Sequence, residues 1–193
     1  MASFKQIIAG LLSSLAAATA PAYTVTDGKV TLTSEEFYTE SSETRVDFNN
    51  MNGESIILWA QYLGPTDATA ILASGATKEQ IGVKLRNSNT CNVLYVMRQF
   101  KPISSVSIMY KQNPGMTTHA QCGDKGYVFI KDISVPAVPV GTNFTLAAKF
   151  VSNTLFVFLD GKEIWKGYVP FTNVGISGFR SDNTKVRFKA VGG

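Results

Sequence analysis

The stretch LFVFLDGKEIWKGY, residues 155–168, decides the fold class of this chain. Two predicted strands, 155–159 and 162–168, flank Asp160-Gly161, a dipeptide that tolerates the positive φ values of a two-residue hairpin turn. Apolar and polar residues alternate on both sides of this hairpin, in 144–150 and again in 184–190. No stretch from about residue 28 onward sustains a helical period for three turns. The pattern predicts an all-β domain.

The same period of two predicts further strands upstream. These predicted strands cover residues 44–48, 55–63, 80–85, 92–100, 106–111 and 126–133. Many short strands separated by turn residues are typical of a two-sheet antiparallel sandwich, so we predict jelly-roll connectivity. We interpret residues 66–79 as a loop insertion. The predicted core contains Trp59, Leu85, Leu94, Val96, Ile108, Phe144, Leu146, Phe156, Phe158, Ile176, Val186 and Phe188, and Trp165 fits either core or surface.

Composition limits the function classes. The chain has 193 residues, of which 45% are hydrophobic and 17% charged, enough apolar material for one packed core and too much for a disordered chain. The net charge of +4 is too weak and scattered to predict a nucleic-acid partner. With one histidine, His119, and two cysteines, a metal centre is hard to assemble, and we predict no cofactor.

The first 22 residues have the order of a secretory signal peptide. Lys5 precedes the apolar stretch 7–18, and small residues follow at Ala18, Ala20 and Ala22, each a candidate cleavage point. The stretch is too short to span a bilayer comfortably, so we predict no membrane span. The alternative, a buried amphipathic helix, would need a charged face that this segment lacks. We therefore expect a signal peptide at 1–22, a single domain at 23–193 and an extracellular location.

Secretion affects the interpretation of the cysteines and of one asparagine. In an oxidising compartment Cys91 and Cys122 are expected to form a disulfide, whereas two buried thiols would be expected if the chain were cytosolic. Asn143-Phe144-Thr145 is the one Asn-x-Ser/Thr acceptor triplet without proline and predicts a glycoprotein modified at Asn143.

The sequence gives little support for catalysis. The one histidine lies in a polar loop, so the sequence offers few residues that could form a nucleophile with a neighbouring base. Four glutamates cluster within residues 35–43, a pattern more typical of a solvated face than of two carboxylates across a cleft. Single acidic loop residues such as Asp124 and Asp182 are weak calcium ligands by themselves. We expect the protein not to be an enzyme.

One predicted sheet face combines aromatic and hydrogen-bonding side chains. If Leu94 and Val96 face the core, then Tyr95, Met97 and Gln99 lie on the opposite side of their strand. Lys111 reaches the same side from the next strand. A flat ring beside polar side chains suits a sugar, which has an apolar C–H face and a rim of hydroxyls. The alternative is an ordinary exposed strand face.

The order and spacing of several segments resemble a galectin. The resemblance rests downstream on 140–146, 149–150, 155–164 and 174–178, and on the closing strand to Val191. Upstream it rests on 94–100 and 107–111, and in all it covers roughly residues 44–191. It implies a concanavalin-type sandwich that recognises carbohydrate on one sheet face, with a glycan or glycoprotein as partner.

The galectin galactoside signature is not retained. Where the family has His-x-Asn-x-Arg, this chain has Tyr95, Met97 and Gln99, and Lys111 replaces the Asn of the next strand. On the third strand, Tyr127, Ile130 and Asp132 stand in the positions of Trp-x-x-Glu-x-Arg. The resemblance therefore implies a lectin-like site for a glycan other than a standard β-galactoside. The candidate carbohydrate-binding residues are Tyr95, Met97, Gln99, Lys111, Tyr127 and Asp132.

A different class of function is also open. An extracellular sandwich with a degraded sugar site would serve protein contact or adhesion, with Met97 and Met109 as adaptable contact residues.

Overall fold

The computed structural model describes residues 20–33 and 35–192. Most of the predicted signal peptide, residues 1–19 with the candidate cleavage point Ala18, lies outside the described residues. The described strands are β1 (Tyr23–Asp27), β2 (Thr31–Thr33), β3 (Glu36–Thr39), β4 (Glu43–Asn52), β5 (Ser55–Pro65), β6 (Glu79–Asn89), β7 (Asn92–Lys101), β8 (Ser105–Lys111), β9 (Tyr127–Ser134), β10 (Asn143–Val151), β11 (Thr154–Leu159), β12 (Lys162–Tyr168), β13 (Ile176–Asp182) and β14 (Thr184–Val191). A single helical turn, α1 (His119–Cys122), lies between β8 and β9.

The strands form two seven-stranded antiparallel sheets. Sheet A has the order β1-β4-β13-β6-β7-β8-β9, and sheet B has the order β12-β11-β10-β5-β14-β3-β2. Half of the neighbouring pairs are not consecutive in sequence, and pairs such as β4–β13 and β5–β14 join distant parts of the chain, as expected for a jelly roll rather than a meander. The predicted all-β, two-sheet antiparallel sandwich is confirmed.

The hairpin at residues 160–161 forms as predicted. Asp160 has φ 50° and Gly161 has φ 74°, so both central residues adopt the left-handed conformation that matches the twist of the flanking strands. β11 and β12 pair antiparallel on either side of this turn, with one register shift between Val157 and Phe158.

The core lies between the two sheets and is rich in stacked aromatic rings. Phe179 of sheet A stacks on Phe188 of sheet B with ring centroids 3.8 Å apart, and Phe188 also stacks on Phe37 at 5.1 Å. Tyr62 and Phe100 form a second stacked pair at 4.0 Å. Because the Phe179–Phe188 and Tyr62–Phe100 pairs join the two sheets, they fix how one sheet lies over the other.

Three predicted core residues were assigned to the wrong face. Trp59, Phe156 and Phe158 pack with Ile57 and Ala147 in a separate cluster, outside the main core. Leu155 and Val157 of β11 take the core positions instead. Both faces of β11 are apolar, so the period of two could not decide which face was buried.

Two other predictions differ from the structure in smaller ways. Ile176 is half-buried rather than part of the core, and Trp165 is partly buried and packs against the core. The early strands β1–β3 were not predicted, since short, partly exposed strands carry little alternation. Most of the segment 66–79 is a loop, as predicted, with its last residue beginning β6. Within the described residues, no helix has the length and apolar character needed to cross a membrane.

Candidate functional site

Three neighbouring strands present the predicted site residues on one side of sheet A. The pairing of β7, β8 and β9 places Val93 and Tyr127 on either side of Lys111, and Met97 and Asp132 on either side of Ser107. Leu94 and Val96 belong to the core, so the alternate residues of β7 point to the opposite side. Tyr95, Met97, Gln99, Lys111, Tyr127 and Asp132 therefore share the side of sheet A that faces away from the core.

Two loops turn this side of the sheet into a groove, which we call the sheet A groove. Leu72 and Ala73, from the loop between β5 and β6, lie on one side. Thr117, His119 and Asp124, from the loop between β8 and β9, lie on the other. The groove has a polar part of about 510 Å³ and a more apolar part of about 380 Å³. The two parts share Leu72, Ala73, Asp124, Tyr127 and Arg180.

The predicted residues differ in their access to this groove. Tyr95 and Lys111 line its polar part and Met97 its apolar part, but all three are buried and form the floor. Tyr127 lines both parts and is 38% exposed, which makes it the accessible ring among the predicted residues. Phe129, which was not predicted, also lines the apolar part and is 63% exposed.

Gln99 and Asp132 lie on the same side of the sheet but do not line the groove. The Gln99 Nε2 donates a hydrogen bond to the carbonyl oxygen of Ile103 at 2.9 Å. The Asp132 carboxylate accepts one from the Ser107 hydroxyl at 2.8 Å. Both side chains are therefore engaged in local contacts beyond the groove.

Rings and cations alternate along the floor. The rings of Tyr95 and Tyr127 stack with centroids 6.5 Å apart and planes 26° apart. The Arg180 guanidinium lies 4.9 Å from the Tyr95 ring centre, and the Lys111 ammonium lies 5.2 Å from the Tyr127 ring centre. Burial raises the pKa of the Tyr95 phenol, so this ring is uncharged at neutral pH. The cations hold the two rings in place through cation–π contacts.

A buried carboxylate organises the neighbouring strands. Asp182 accepts hydrogen bonds from Arg45 at 2.7 Å, from Arg180 at 2.9 Å and from the Gln80 amide at 2.7 Å. Burial alone would raise the pKa of the Asp182 carboxyl, but the two guanidinium groups hold it below its ordinary value. Burial likewise disfavours the charge of Arg180, and the Asp182 carboxylate overcomes this and raises the pKa of Arg180. These charges are therefore permanent at neutral pH.

A second ion pair completes the floor. Lys84 forms a salt bridge with Asp47, whose carboxylate also accepts a hydrogen bond from the Asn87 amide at 2.8 Å. Burial lowers the pKa of the Lys84 ammonium, and the Asp47 carboxylate opposes that shift. The polar part is lined by equal numbers of cationic side chains and carboxylates. The cations are Arg45, Lys84, Lys111 and Arg180, and the carboxylates are Asp27, Glu43, Asp47 and Asp124. The polar part thus offers many hydrogen-bonding groups with no net charge.

Sequence reasoning missed the charged half of the groove. Arg45 and Asp47 are alternate residues of β4, and Arg180 and Asp182 are alternate residues of β13. Charged residues two apart within a strand of otherwise apolar alternation were the available signal. The topology that brings β4 and β13 beside β6 and β7 could not be read from the sequence.

Covalent and polar contacts hold the two loops. The predicted Cys91–Cys122 disulfide is present, with Cα atoms 5.8 Å apart, and it ties α1 to the start of β7. The other loop is fixed by Asn183, whose side chain accepts a hydrogen bond from the Ala70 N–H at 2.7 Å and donates to the Lys78 carbonyl at 3.2 Å. Both sides of the groove are therefore built in rather than formed on binding. Among residues 20–33 and 35–192, no group of three or more His, Cys, Asp or Glu side chains is placed to hold a metal ion.

Together, the two sheets and the groove define a concanavalin-type sandwich with a preformed cleft on one sheet face. No protein-family model matches the chain, and no curated protein matches it. Several solved structures share the fold. The carbohydrate-binding module CBM66 from Bacillus subtilis is 11% identical over 88% of this chain and 93% of its own, with a TM-score of 0.63.

Two further solved structures are also similar to this chain. The Ca²⁺-bound exoplasmic/lumenal domain of VIP36 is 12% identical over 87% of this chain and 82% of its own, with a TM-score of 0.57. The Caenorhabditis elegans galectin LEC-6 is 10% identical over 81% of this chain and 96% of its own, with a TM-score of 0.48. The fold implied by the resemblance, a concanavalin-like β-sandwich, is confirmed.

Proposed function

We propose that this chain is a non-catalytic, lectin-like domain that binds a neutral glycan in the sheet A groove. The observation that carries the proposal is the position of Tyr127. Its ring is 38% exposed and borders a floor of ion-paired side chains with balanced charge. A sugar ring has an apolar face for such an aromatic ring and hydroxyls that both donate and accept hydrogen bonds.

The charge balance of the polar part favours a neutral ligand. An anionic ligand would have to compete with the carboxylates of Asp47 and Asp182 for the guanidinium and ammonium groups. A hydroxyl-rich neutral ligand can use the remaining lone pairs and hydrogens without breaking those ion pairs. Because these groups are already fixed in place, little conformational entropy is lost when the ligand binds.

The ligand we propose is not a standard β-galactoside. The galectin signature is replaced at Tyr95, Met97, Gln99 and Lys111, and Gln99 is engaged outside the groove. A site built to bind a sugar hydroxyl depends on its polar partners for discrimination. One of the similar structures is a carbohydrate-binding module, which supports a carbohydrate ligand without specifying it.

The experiment is a glycan microarray followed by titration of the best neutral hit. We expect Tyr127→Ala to weaken binding about tenfold, or about 1.4 kcal/mol, because the stacking surface is lost. Tyr127→Phe should bind like the wild type, since the ring remains. The matched control is Tyr168→Ala, which removes a tyrosine that is 67% exposed on sheet B.

Two outcomes would contradict the proposal: an array without hits, or hits that Tyr127→Ala leaves unchanged. A second candidate function, protein contact, is favoured by Phe129, which is 63% exposed on the edge strand β9 and lines the apolar part of the groove. A protein partner that is retained after enzymatic deglycosylation and lost in Phe129→Ser would support that second function.

We also propose that the domain is secreted and carries a glycan at Asn143. The signal-like order of residues 1–22 supports export, and the Cys91–Cys122 disulfide is the type of bond that persists in oxidising compartments. The exposed position of Asn143 at the start of β10 is compatible with modification.

A further inference from the structure

The outer side of sheet B carries a second cluster of an aromatic ring and polar side chains. In the pairing of β10, β5 and β14, Trp59 lies directly between Thr145 and Lys189. One step along the same side, Gln61 lies directly between Asn143 and Arg187. We call this surface the Trp59 face: it is made of Trp59, Gln61, Asn143, Thr145, Arg187 and Lys189. A shallow cavity of about 450 Å³ covers it, bounded by Glu36 and Asp160.

Trp59 is held as a platform. It is half-buried and packs against the outer cluster of Ile57, Ala147 and Phe158. A partly exposed indole fixed by packing loses little conformational freedom when a ligand stacks on it. The ring is far from the sheet A groove, because the core of the sandwich lies between the two sheets.

The polar groups around Trp59 retain unused hydrogen-bonding capacity. The side chains of Asn143, Thr145 and Arg187 make no hydrogen bond to any other described residue, and neither does the Trp59 indole N–H. Gln61 uses its Nε2 on the Gly141 carbonyl at 3.2 Å and keeps its oxygen free for other donors. On the floor of the sheet A groove, by contrast, the polar side chains are paired with one another.

The charges of the Trp59 face also balance. Arg187 and Lys189 are offset by Glu36 and Asp160. Lys189 lies 3.3 Å from Glu35 and 3.9 Å from Glu36, so it is already neutralised locally. An anionic polymer is therefore not favoured, and the free donors and acceptors suit a neutral, hydroxyl-rich molecule.

We propose that the Trp59 face is a second saccharide site, which takes a neutral oligosaccharide with one sugar ring stacked on Trp59 and its hydroxyls bonded to Asn143, Thr145 and Arg187. A single chain that carries no glycan at Asn143 would then bind saccharides on opposite sides of the sandwich. Asn143 is also the acceptor of the glycosylation triplet, so a glycan attached there would occupy this site. The site is accordingly tested on protein made without N-glycosylation.

The two tryptophans allow a direct test. Trp165→Phe leaves Trp59 as the one tryptophan of the chain, so its emission reports on this face. The probes are neutral pentasaccharides of glucose, mannose, xylose, galactose and N-acetylglucosamine, titrated one by one. We expect at least one of them to change the Trp59 emission in a saturable way. We expect Arg187→Met to raise its dissociation constant about tenfold, whereas Lys162→Met, which removes an exposed cation of sheet B outside the face, leaves it unchanged.

The Tyr127→Ala variant separates this proposal from the proposed function. In that background the Trp59 signal should persist even though the sheet A groove is impaired. The second site is overturned if none of the probes changes the emission, if the signal disappears with Tyr127→Ala, or if Arg187→Met has no effect. If Tyr127→Ala loses binding of the array glycan and no probe changes the Trp59 emission, the sheet A groove is the one supported site.

Discussion

Asp182 is the residue on which the floor of the groove depends. Its side chain is fully buried between Arg45 and Arg180. Asp182→Asn would leave the buried Arg180 guanidinium without its carboxylate and the Arg45 guanidinium with Glu43 alone, so we expect the free energy of unfolding to fall by about 3–5 kcal/mol. The measurement is urea denaturation at neutral pH. The control is Asp67→Asn, which removes the carboxylate of the exposed Lys185–Asp67 pair and should leave stability unchanged.

The difference in unfolding free energy between the wild type and Asp182→Asn should depend on pH in a defined way. Because the pKa of the Asp182 carboxyl is lower in the folded than in the unfolded chain, its contribution is fully present above about pH 4. That contribution is lost as the pH falls further and the carboxyl takes up a proton. The difference between the wild type and Asp182→Asn should therefore be constant from neutral pH to about pH 5 and shrink at lower pH. A difference that stays constant to pH 2 would contradict this role.

Single residues were predictable from the sequence where one strand carried the information. Tyr95 and Met97 were assigned to the correct side because β7 alternates with Leu94 and Val96. Arg180 was missed, and Asp182 was assigned to a loop rather than to β13, because their role depends on β13 lying between β4 and β6, a pairing between distant parts of the chain. Tyr127 was found through the galectin resemblance, not from its own strand pattern.

At the scale of elements, the disulfide connects a wall of the groove to the sheet. Replacing both Cys91 and Cys122 with serine should lower the free energy of unfolding by about 4 kcal/mol. The reason is that the unfolded chain gains entropy when the disulfide no longer closes a loop between residues that are 31 apart in sequence. The same change frees the loop that carries His119 and Asp124, so binding of the groove ligand should weaken as well. Urea denaturation and titration of the array hit measure the two effects.

The wild type after reduction provides the matched comparison for that variant. It should reproduce both effects, and reoxidation should restore them. A double serine variant that is as stable as the oxidised wild type would show that the loop is held by its polar contacts alone, such as those of Asn92 and Asn113.

Elements were predicted best where local chemistry determines them. The Asp160-Gly161 turn fixes its hairpin through two positive φ values, a property of those two residues. The walls of the groove could not be predicted, because the loop around Leu72 is positioned by Asn183, which is more than a hundred residues away in sequence. The faces of β11 could not be assigned either, because a strand that is apolar on both sides gives no alternation to read.

At the scale of the whole molecule, export is the proposal with the clearest test. Expression in secreting eukaryotic cells should release a chain that begins after Ala18, Ala20 or Ala22, with the Cys91–Cys122 bond formed. Intact-mass analysis with and without reduction and enzymatic deglycosylation identifies the start, the disulfide and any glycan at Asn143. Retention in the cell with the first 22 residues intact and two free thiols would contradict export.

The corner between β13 and β14 has a consequence for how the molecule would arrange what it binds. Asn183 alone separates the two strands, and it carries the chain from sheet A directly into sheet B. With this short corner and the interlocked rings of Phe179 and Phe188, the two surfaces cannot tilt independently. Packed sheets are about 10 Å apart, so polysaccharide chains held on both sides would be spaced at a distance set by the sandwich itself. The molecule would then act as a rigid spacer in a polymer mesh, without needing to dimerise.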